Sequence, residues 1–369
     1  NSSGIAPGAS PPVEFGPGSN ELWKAPMTPG HSSPIVVKDV IFLTTWDKKS
    51  RKLAVVCIAR SNGKIRWQAD VPATKFEKGH ASFNPASSTP ATDGERVVAY
   101  FGSFGLVCFD MEGKKLWERR MPLTKSFGGN ATSPAIIGDR VILYRGNYVD
   151  HYLLAVDKAT GKELWKVPQR ERFSGEMACT ACPISIGEKL IVHTARSMQA
   201  FDISSGERLW VAACATTATS TPILSGKEVI VAAWNKLGEP ALRPEFPSFE
   251  KLLAEHDKDS DKLISRDEFP TLWIFHRPDG AEAPQNGATV RFERVDRNRD
   301  REIDPGEWAA QLSGLKKFRA GYKAHGILAI PIDSSGLVEA SKIRTLETQG
   351  IPEVPSPLCD GTYVYFVKN

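Results

Sequence analysis

The sequence predicts an all-β fold, a β-propeller of four-stranded blades with a small α-helical insert. The first observation is a phrase that ends in tryptophan and occurs at residues 57–67, 108–117, 155–165 and 200–210. The second is a recurring Ser/Thr-Pro marker, and the third is a stretch of roughly 90 residues after residue 234 in which the period-2 pattern of strands gives way to helical spacing. Together they predict blades first and an insert between two strands later.

The marker consists of a small or polar residue, a proline and an apolar run, and it precedes each copy of the phrase. Its first five prolines are 56, 44, 49 and 39 residues apart, a spacing typical of propeller blades. The six markers are Ser33-Pro34, Thr89-Pro90, Ser133-Pro134, Cys182-Pro183, Thr221-Pro222 and Ser356-Pro357.

One repeat shows how a blade is expected to form. Residues 134–137, 140–144, 152–156 and 163–167 predict strands A to D, because each is rich in β-branched and aromatic residues and is bounded by turn residues. Proline can open strand A, where its missing N–H is not needed. Trp165 on strand D is expected to dock between blades and bury a large area. By the same pattern, Cys57 and Cys108 should be small buried strand residues.

The phrase at residues 155–165 resembles the tryptophan-docking repeat of pyrroloquinoline-quinone (PQQ) type propellers, Ala-x-Asp-x-x-Thr-Gly-Lys-x-x-Trp, at every fixed position. That family includes quinoprotein alcohol dehydrogenases and the propeller lipoprotein that assists outer-membrane protein assembly. The resemblance implies a ring of seven or, more in keeping with the family, eight blades. It indicates a fold rather than one activity.

Residues 20–26 repeat the strand D phrase without a preceding A, B or C, so they predict a strand that closes the ring. The chain ends within a predicted strand B, and we expect it to be part of a longer chain. The predicted domains are propeller at 1–235 with blades from residue 33, an insert with linkers at 236–324 and a core at 248–311, and propeller again at 325–369.

The insert contains two acidic loops that look like paired EF-hands. A twelve-residue calcium loop supplies oxygen ligands from positions 1, 3, 5, 7, 9 and 12. The exit helices are expected to begin at Phe269 and Trp308. The ligand positions are Asp257, Asp259, Asp261, the Leu263 carbonyl, Ser265 and Glu268 in the first loop, and Asp296, Asn298, Asp300, the Glu302 carbonyl, Asp304 and Glu307 in the second.

Both loops depart from the EF-hand pattern at position 6, where Lys262 and Arg301 replace the usual glycine. A left-handed backbone at these residues costs on the order of 1–2 kcal/mol, so we expect weak sites suited to extracellular calcium. At position 8, Ile264 and Ile303 are expected to pair the loops through a short β-contact. The core 248–311 carries 10 Lys and Arg against 15 Asp and Glu, a net charge of −5, which leaves +9 elsewhere.

Composition excludes several classes of partner. The formal charge of +4 gives no reason to expect nucleic acid, and no run of 18 apolar residues predicts a membrane span. No signal peptide is visible, although the family resemblance implies a periplasmic or secreted protein. Cys179 and Cys182 have ligand-like spacing without a second pair, which favours a chance pair or a local disulfide over zinc.

Catalytic motifs such as Gly-x-Ser-x-Gly or His-Glu-x-x-His do not occur. Polar residues in the loops before the markers, namely His31, His80, Asn84 and Asn130, are expected at the mouth of the central channel, where propellers bind ligands. Two functions stay open. The first is a calcium-binding scaffold that recognises a protein or a small molecule; the alternative is a PQQ-dependent oxidoreductase, for which no specific residues hold the quinone.

Overall fold

The computed structural model describes residues 10, 12–169, 171, 180–214, 216–234, 243–276, 287–320 and 325–367, without the side chains of 318–320. Cys179 and parts of both insert linkers lie outside these residues. The described chain consists mainly of four-stranded antiparallel sheets, as the sequence predicts.

The first sixteen strands form four such sheets, and each successive group of four is called blades 1 to 4, with strands A to D in chain order. The A strands of blades 1, 2 and 3 approach one another, as expected around a central axis. The strands are β1 (Ile35–Val37), β2 (Val40–Asp47), β3 (Lys52–Ala59), β4 (Ile65–Val71), β5 (Ala91–Thr92), β6 (Arg96–Phe101), β7 (Gly105–Asp110), β8 (Lys115–Arg120), β9 (Ala135–Ile137), β10 (Arg140–Arg145), β11 (Tyr152–Asp157), β12 (Glu163–Pro168), β13 (Ile184–Ile186), β14 (Lys189–His193), β15 (Ser197–Asp202) and β16 (Arg208–Ala213).

The remaining elements comprise blade 5, the insert and the start of a sixth blade. They are β17 (Ile223–Ser225), β18 (Glu228–Ala233), α1 (Phe249–His256), β19 (Ile264–Ser265), β20 (Trp273–His276), β21 (Gly287–Thr289), α2 (Phe292–Val295), β22 (Glu302–Ile303), α3 (Pro305–Ala320), β23 (Gly326–Pro331), β24 (Gly336–Leu337), a 3-10 helix (Ala340–Lys342), β25 (Arg344–Glu347), β26 (Leu358–Cys359) and β27 (Val364–Tyr365).

Blade 5 contains β17, β18, β23 and β25, so the insert joins its B and C strands, as predicted. Its D strand, β25, carries no tryptophan. Between β23 and β25, the short strand β24 pairs in parallel with β16 and gives blade 4 a fifth strand. We call β24 the parallel strap. Beneath it Trp210 is fully buried, whereas Trp165, in a blade without such a strand, is partly exposed.

The recurring tryptophans dock on the following blade, as predicted. Each indole N–H donates to a backbone carbonyl at 2.8–3.1 Å. For all of them except Trp210, the ring also lies against a glycine of the next blade. A Cβ on Gly161 would come 2.6 Å from the ring of Trp117, and the φ of +70° at Gly161 excludes most other residues. The pairs are Trp23 with Arg60, Trp67 with Met111, Trp117 with Lys158, Trp165 with Ile203 and Trp210 with Ile332.

The Ser/Thr-Pro markers link neighbouring blades through hydrogen bonds that the sequence did not suggest. In each link, the backbone N–H of one marker donates to the side chain of the next marker, at 2.9–3.0 Å where the acceptor is a hydroxyl and at 3.4 Å for the sulfur of Cys182. The order is Ser33, Thr89, Ser133, Cys182, Thr221 and Ser356.

The apolar cores of the propeller lie between successive blades, each contributed by two neighbours. Cys57 and Cys108 are fully buried in them, as predicted. The insert has a core of its own, centred on Leu252, Ile264 and Trp308. None of the described helices has the length and apolar character needed to cross a bilayer.

Residues 20–26, predicted to close the ring, form no β-strand and pair with no strand among the described residues. Their pairing with a last blade stays a prediction. Trp23 nevertheless donates its indole N–H to Arg60 and packs on Gly63 of blade 1, the same contact that the D-strand tryptophans make.

Candidate functional site

The first acidic loop is folded by hydrogen bonds from its backbone to its own carboxylates. Asp257 accepts the N–H groups of Ser260 at 2.7 Å and Lys262 at 3.1 Å. Glu268 accepts from the N–H of Lys258 at 2.8 Å and from both the N–H and the hydroxyl of Ser265. These donors, the Lys258 N–H foremost, lower the pKa of Glu268 to about 2, so the carboxylate is ionised.

The second loop repeats this pattern position by position. Asp296 accepts from the N–H groups of Arg299 at 2.7 Å and Arg301 at 3.2 Å, and Glu307 accepts from Arg297 at 2.7 Å. The ninth position differs between the loops. The carboxylate of Asp304 caps α3 by accepting the N–H of Glu307 at 2.7 Å. Ser265, at the same position of the first loop, does not have this role.

The two loops meet through β19 and β22, in which Ile264 pairs with Ile303. The predicted β-contact is therefore confirmed. The helix predicted to begin at Trp308 is present as α3 but begins three residues earlier, at Pro305. The predicted helix from Phe269 is wrong, because Pro270 would lose a helical hydrogen bond and clash with the preceding turn. The chain continues instead into β20, which pairs with β21.

The first loop fits a hard cation such as calcium. Oxygens of Asp257, Asp259 and Asp261 lie within 4.8 Å of one another, close enough to bind one ion at 2.3–2.6 Å each. The carboxylates of the two loops also act on one another. Burial, and then repulsion from Asp261 and Asp300, raises the pKa of Glu302. In the second loop, Asn298 and Asp300 are joined by a 2.7 Å hydrogen bond from the amide to the carboxylate.

The sixth-position residues adopt the backbone that glycine usually supplies. Lys262 has a φ of 69° and Arg301 a φ of 79°, and the fourth-position residues Ser260 and Arg299 are also left-handed. The left-handed backbone that costs energy at a residue other than glycine is therefore formed at position 6 of both loops, and its effect on calcium affinity stays a prediction.

The four predicted channel-mouth residues separate into two kinds. Here "channel face" means the side carrying the D-to-A and B-to-C connections. His31 and His80 are exposed there, and Nδ1 of His80 lies 2.9 Å from the hydroxyl of Ser82. Asn84 and Asn130 are buried inside the connections: Asn84 accepts the N–H of Ala86 at 2.8 Å, and Asn130 donates to Ser88 at 3.1 Å. The two asparagines therefore shape the loops.

Sequence reasoning missed a buried acid on this face. Glu77, only 6% exposed, lies in the connection between blades 1 and 2 and accepts a hydrogen bond from the hydroxyl of Thr124 in the next connection. A side chain at Gly102 would collide with both groups. Burial raises the pKa of Glu77 to about 7, against the opposing effects of Thr124, Asn130 and Arg145. No local motif signals it.

A fully buried arginine supports the neighbouring connection. Arg145, at the end of β10, pairs with Asp150 and donates to the hydroxyl of Tyr100 at 3.1 Å and to the carbonyl of Pro122. Asn147 closes the turn by donating to the Asp150 carbonyl at 2.8 Å. Buried polar groups thus fix the connections between blades 1 to 3 in position.

The sequence and structure were compared with known proteins. A family model described as the outer membrane protein assembly factor BamB matches residues 14–241. None of the curated proteins compared matches the chain. Among solved structures, BamB from Moraxella catarrhalis is 15% identical over 57% of this chain and 58% of its own, with a TM-score of 0.42.

Two quinoprotein structures show comparable values. The quinohemoprotein alcohol dehydrogenase ADHIIG from Pseudomonas putida HK5 is 16% identical over 59% of this chain and 41% of its own, with a TM-score of 0.45. A europium-containing methanol dehydrogenase is 11% identical over 55% and 47%, with a TM-score of 0.42. The chain spans between 41% and 58% of the length of these structures.

Proposed function

Because the chain belongs to the family described as the outer membrane protein assembly factor BamB, we propose that it is a periplasmic or secreted scaffold that binds a protein partner on its propeller. The observation that carries the proposal is the family match, which covers blades 1 to 4 and the start of blade 5. The proposed units are a propeller at 1–235 and 325–369 and an inserted EF-hand pair at 236–324.

The insert is proposed to bind two calcium ions. Support comes from the converging carboxylates of the first loop, the equivalent hydrogen bonds of the second and the pairing of Ile264 with Ile303. When bound, calcium would neutralise the gathered carboxylates and order the loops. The residues that would hold it are Asp257, Asp259, Asp261, Leu263, Ser265 and Glu268, and Asp296, Asn298, Asp300, Glu302, Asp304 and Glu307.

The insert is attached to blade 5 on the channel face, because it connects strands B and C. A calcium module there can act as an arm beside a bound partner. We place its working range in millimolar extracellular calcium, where weak EF-hands fill.

Two measurements test the function. Photo-crosslinkers at His31 and His80, introduced into the protein in its own cells, should capture a protein on the channel face, whereas crosslinkers at Asp93 and Asp139 on the opposite face should not. In parallel, the purified chain is titrated with PQQ and calcium and assayed for dye reduction with alcohols and sugars. Saturable quinone binding with turnover would establish the oxidoreductase alternative and reject the scaffold.

A further inference from the structure

The two faces of blades 1 to 3 differ in how positive and negative side chains are distributed. The turns opposite the channel face mix acids and bases, and many of these form ion pairs, such as Arg66 with Asp39 and Lys158 with Asp93. In the channel-face connections, the exposed lysines form no ion pair within the described residues, whereas Lys52, at the start of β3, pairs with Asp70. The lysines of the connections are Lys48, Lys49, Lys75, Lys78 and Lys125.

The acids of the same connections do not offset this positive charge. Asp47 accepts hydrogen bonds from the 47–51 turn itself, Glu77 is buried, and Asp150 pairs with Arg145. Among the described residues of these connections, the five exposed lysines are therefore accompanied by no exposed, unengaged carboxylate, so the local field is positive.

An exposed apolar cluster lies within this basic surface. Phe127 is 52% exposed and Val149 is 59% exposed, large values for side chains of this kind. The ring of Phe127 lies 5.9 Å from that of His80, and its N–H donates to the hydroxyl of Tyr148 at 3.1 Å. We call His80, Phe127, Tyr148 and Val149 the rim patch; it joins three connections of the channel face.

The rim patch is held in place from below. The N–H of Tyr148 donates to the carbonyl of Lys125 at 2.8 Å, and the side chain of Asn147 donates to the carbonyl of Asp150 in the same turn. On the other side of the patch, the ring of Phe83 packs against Gly79 and Gly129. It occupies the space that a side chain at either position would need. A fixed apolar surface needs little ordering on binding, which favours affinity.

We propose that the rim patch and its five lysines form a docking surface for an acidic protein segment that carries aromatic or aliphatic side chains. This proposal rests on the proposed scaffold function and assigns its partner a chemistry. The apolar side chains of the segment cover Phe127 and Val149, and its carboxylates face Lys75, Lys78 and Lys125. Such a centre of apolar contacts with a charged rim is the usual anatomy of a protein interface.

The test uses the full chain and fluorescence anisotropy. The probe is a short fluorescein-labelled peptide of Glu, Asp, Phe and Leu, and the matched peptide has Lys in place of each acidic residue. We expect saturable binding of the acidic peptide that weakens steeply as salt rises, and no binding of the basic one. Equal binding of both peptides would overturn the proposal.

Two sets of variants locate the site. Phe127→Ser with Val149→Ser should weaken binding about tenfold, while Leu164→Ser, an equally exposed leucine on β12, should not. Lys75→Gln, Lys78→Gln and Lys125→Gln together should also weaken it about tenfold. The control triple Lys64→Gln, Lys114→Gln and Lys162→Gln changes the net charge equally on the opposite face. Equal losses in test and control sets would mean general charge attraction and overturn the proposal.

Other occupants are separate outcomes. Tighter binding of phosphatidylglycerol vesicles or of a single-stranded oligonucleotide than of the peptide would reject a protein segment. Self-association abolished by Phe127→Ser would indicate a second copy of the chain. Peptide affinity that rises with calcium and falls with a chelator would indicate that the acidic insert covers the patch. If peptides fail while crosslinks still form elsewhere on the channel face, the docking surface is wrong and the scaffold function stands.

Discussion

The propeller and the insert both repeat a local pattern, but they are stabilised in different ways. In the propeller, blades 1 to 3 add the same apolar contact: a tryptophan packs on a glycine of the next blade and donates one hydrogen bond. In the insert, each repeat adds carboxylates and a left-handed residue. The blades therefore gain stability from their neighbours alone, whereas the loops gather charge and strain that a cation can offset.

The two regions also have separate apolar cores, so they should respond separately to change. A repeat array is stabilised by contacts between nearest neighbours, and damage to one of them spreads along the array. A ligand stabilises only the unit whose folded state it binds. Perturbations of each region test this separation.

The largest effect is expected from a docking tryptophan. Trp117→Ala removes a ring buried between blades 2 and 3 and its hydrogen bond to the Lys158 carbonyl. We expect a loss of about 3–5 kcal/mol in the free energy of unfolding of the propeller, measured by denaturant titration. Leu116→Ala, the exposed neighbour, should change it little. Similar losses for both variants would contradict the docking role.

The second effect is a pH dependence due to Glu77. Its pKa is about 7 in the folded chain against an ordinary value of 4.5, so the folded state binds the proton more tightly. Its contribution is present below pH 4.5 and is lost as pH rises to about 7, by on the order of 3 kcal/mol.

The Glu77 effect is measured as the difference between wild type and Glu77→Gln across this range, because buried histidines act in the opposite direction. Burial lowers the pKa of His193 to about 4, so its contribution is lost as pH falls below 6.5. We expect the difference to change with pH and to flatten above pH 7. A difference that does not vary with pH would mean that folding does not raise the pKa of Glu77.

The third effect separates the insert from the propeller. Calcium at a hundredfold excess over its Kd should stabilise the insert by about 2.7 kcal/mol for each site that it fills and leave the propeller transition in place. Glu268→Gln with Glu307→Gln should remove most of this rise in calorimetry. The same calcium-dependent rise in wild type and double variant would show that the loops are wrongly assigned.

The sequence predicted the parts of the fold that repeat. The tryptophan phrase gave the blades and their contacts, and the place of the insert between strands B and C of blade 5 followed from the interrupted pattern. The parallel strap at β24 could not be predicted, because two residues pair across the edge of a different blade. Residues 20–26 had the right contact for Trp23 but lacked a strand partner.

The site was predicted less evenly, for a physical reason. The proposed calcium ligands are close in sequence, so their spacing indicates them directly. Glu77 and Thr124 are 47 residues apart and meet only because neighbouring connections pack together. Phe127 and Val149 look like ordinary loop residues until the fold exposes them on one surface. Asn84 and Asn130 show the converse, since polar loop residues can serve the loop itself.

The smallest effect concerns the strain at position 6 of the loops. Lys262 has a φ of 69° in the folded loop, so Lys262→Gly should relieve a cost that Lys262→Ala retains. Both variants remove the positive charge, and the comparison therefore isolates the backbone. We expect the glycine variant to unfold with about 1 kcal/mol more free energy than the alanine variant in the calcium-free insert, because relief of the left-handed strain exceeds the added entropy of glycine in the unfolded chain. If the left-handed backbone forms when the loop folds, their calcium affinities, measured by titration calorimetry, should agree closely. If the two variants were equally stable and the glycine variant bound calcium about tenfold more tightly, the strain would arise on binding and the loop would not be preformed.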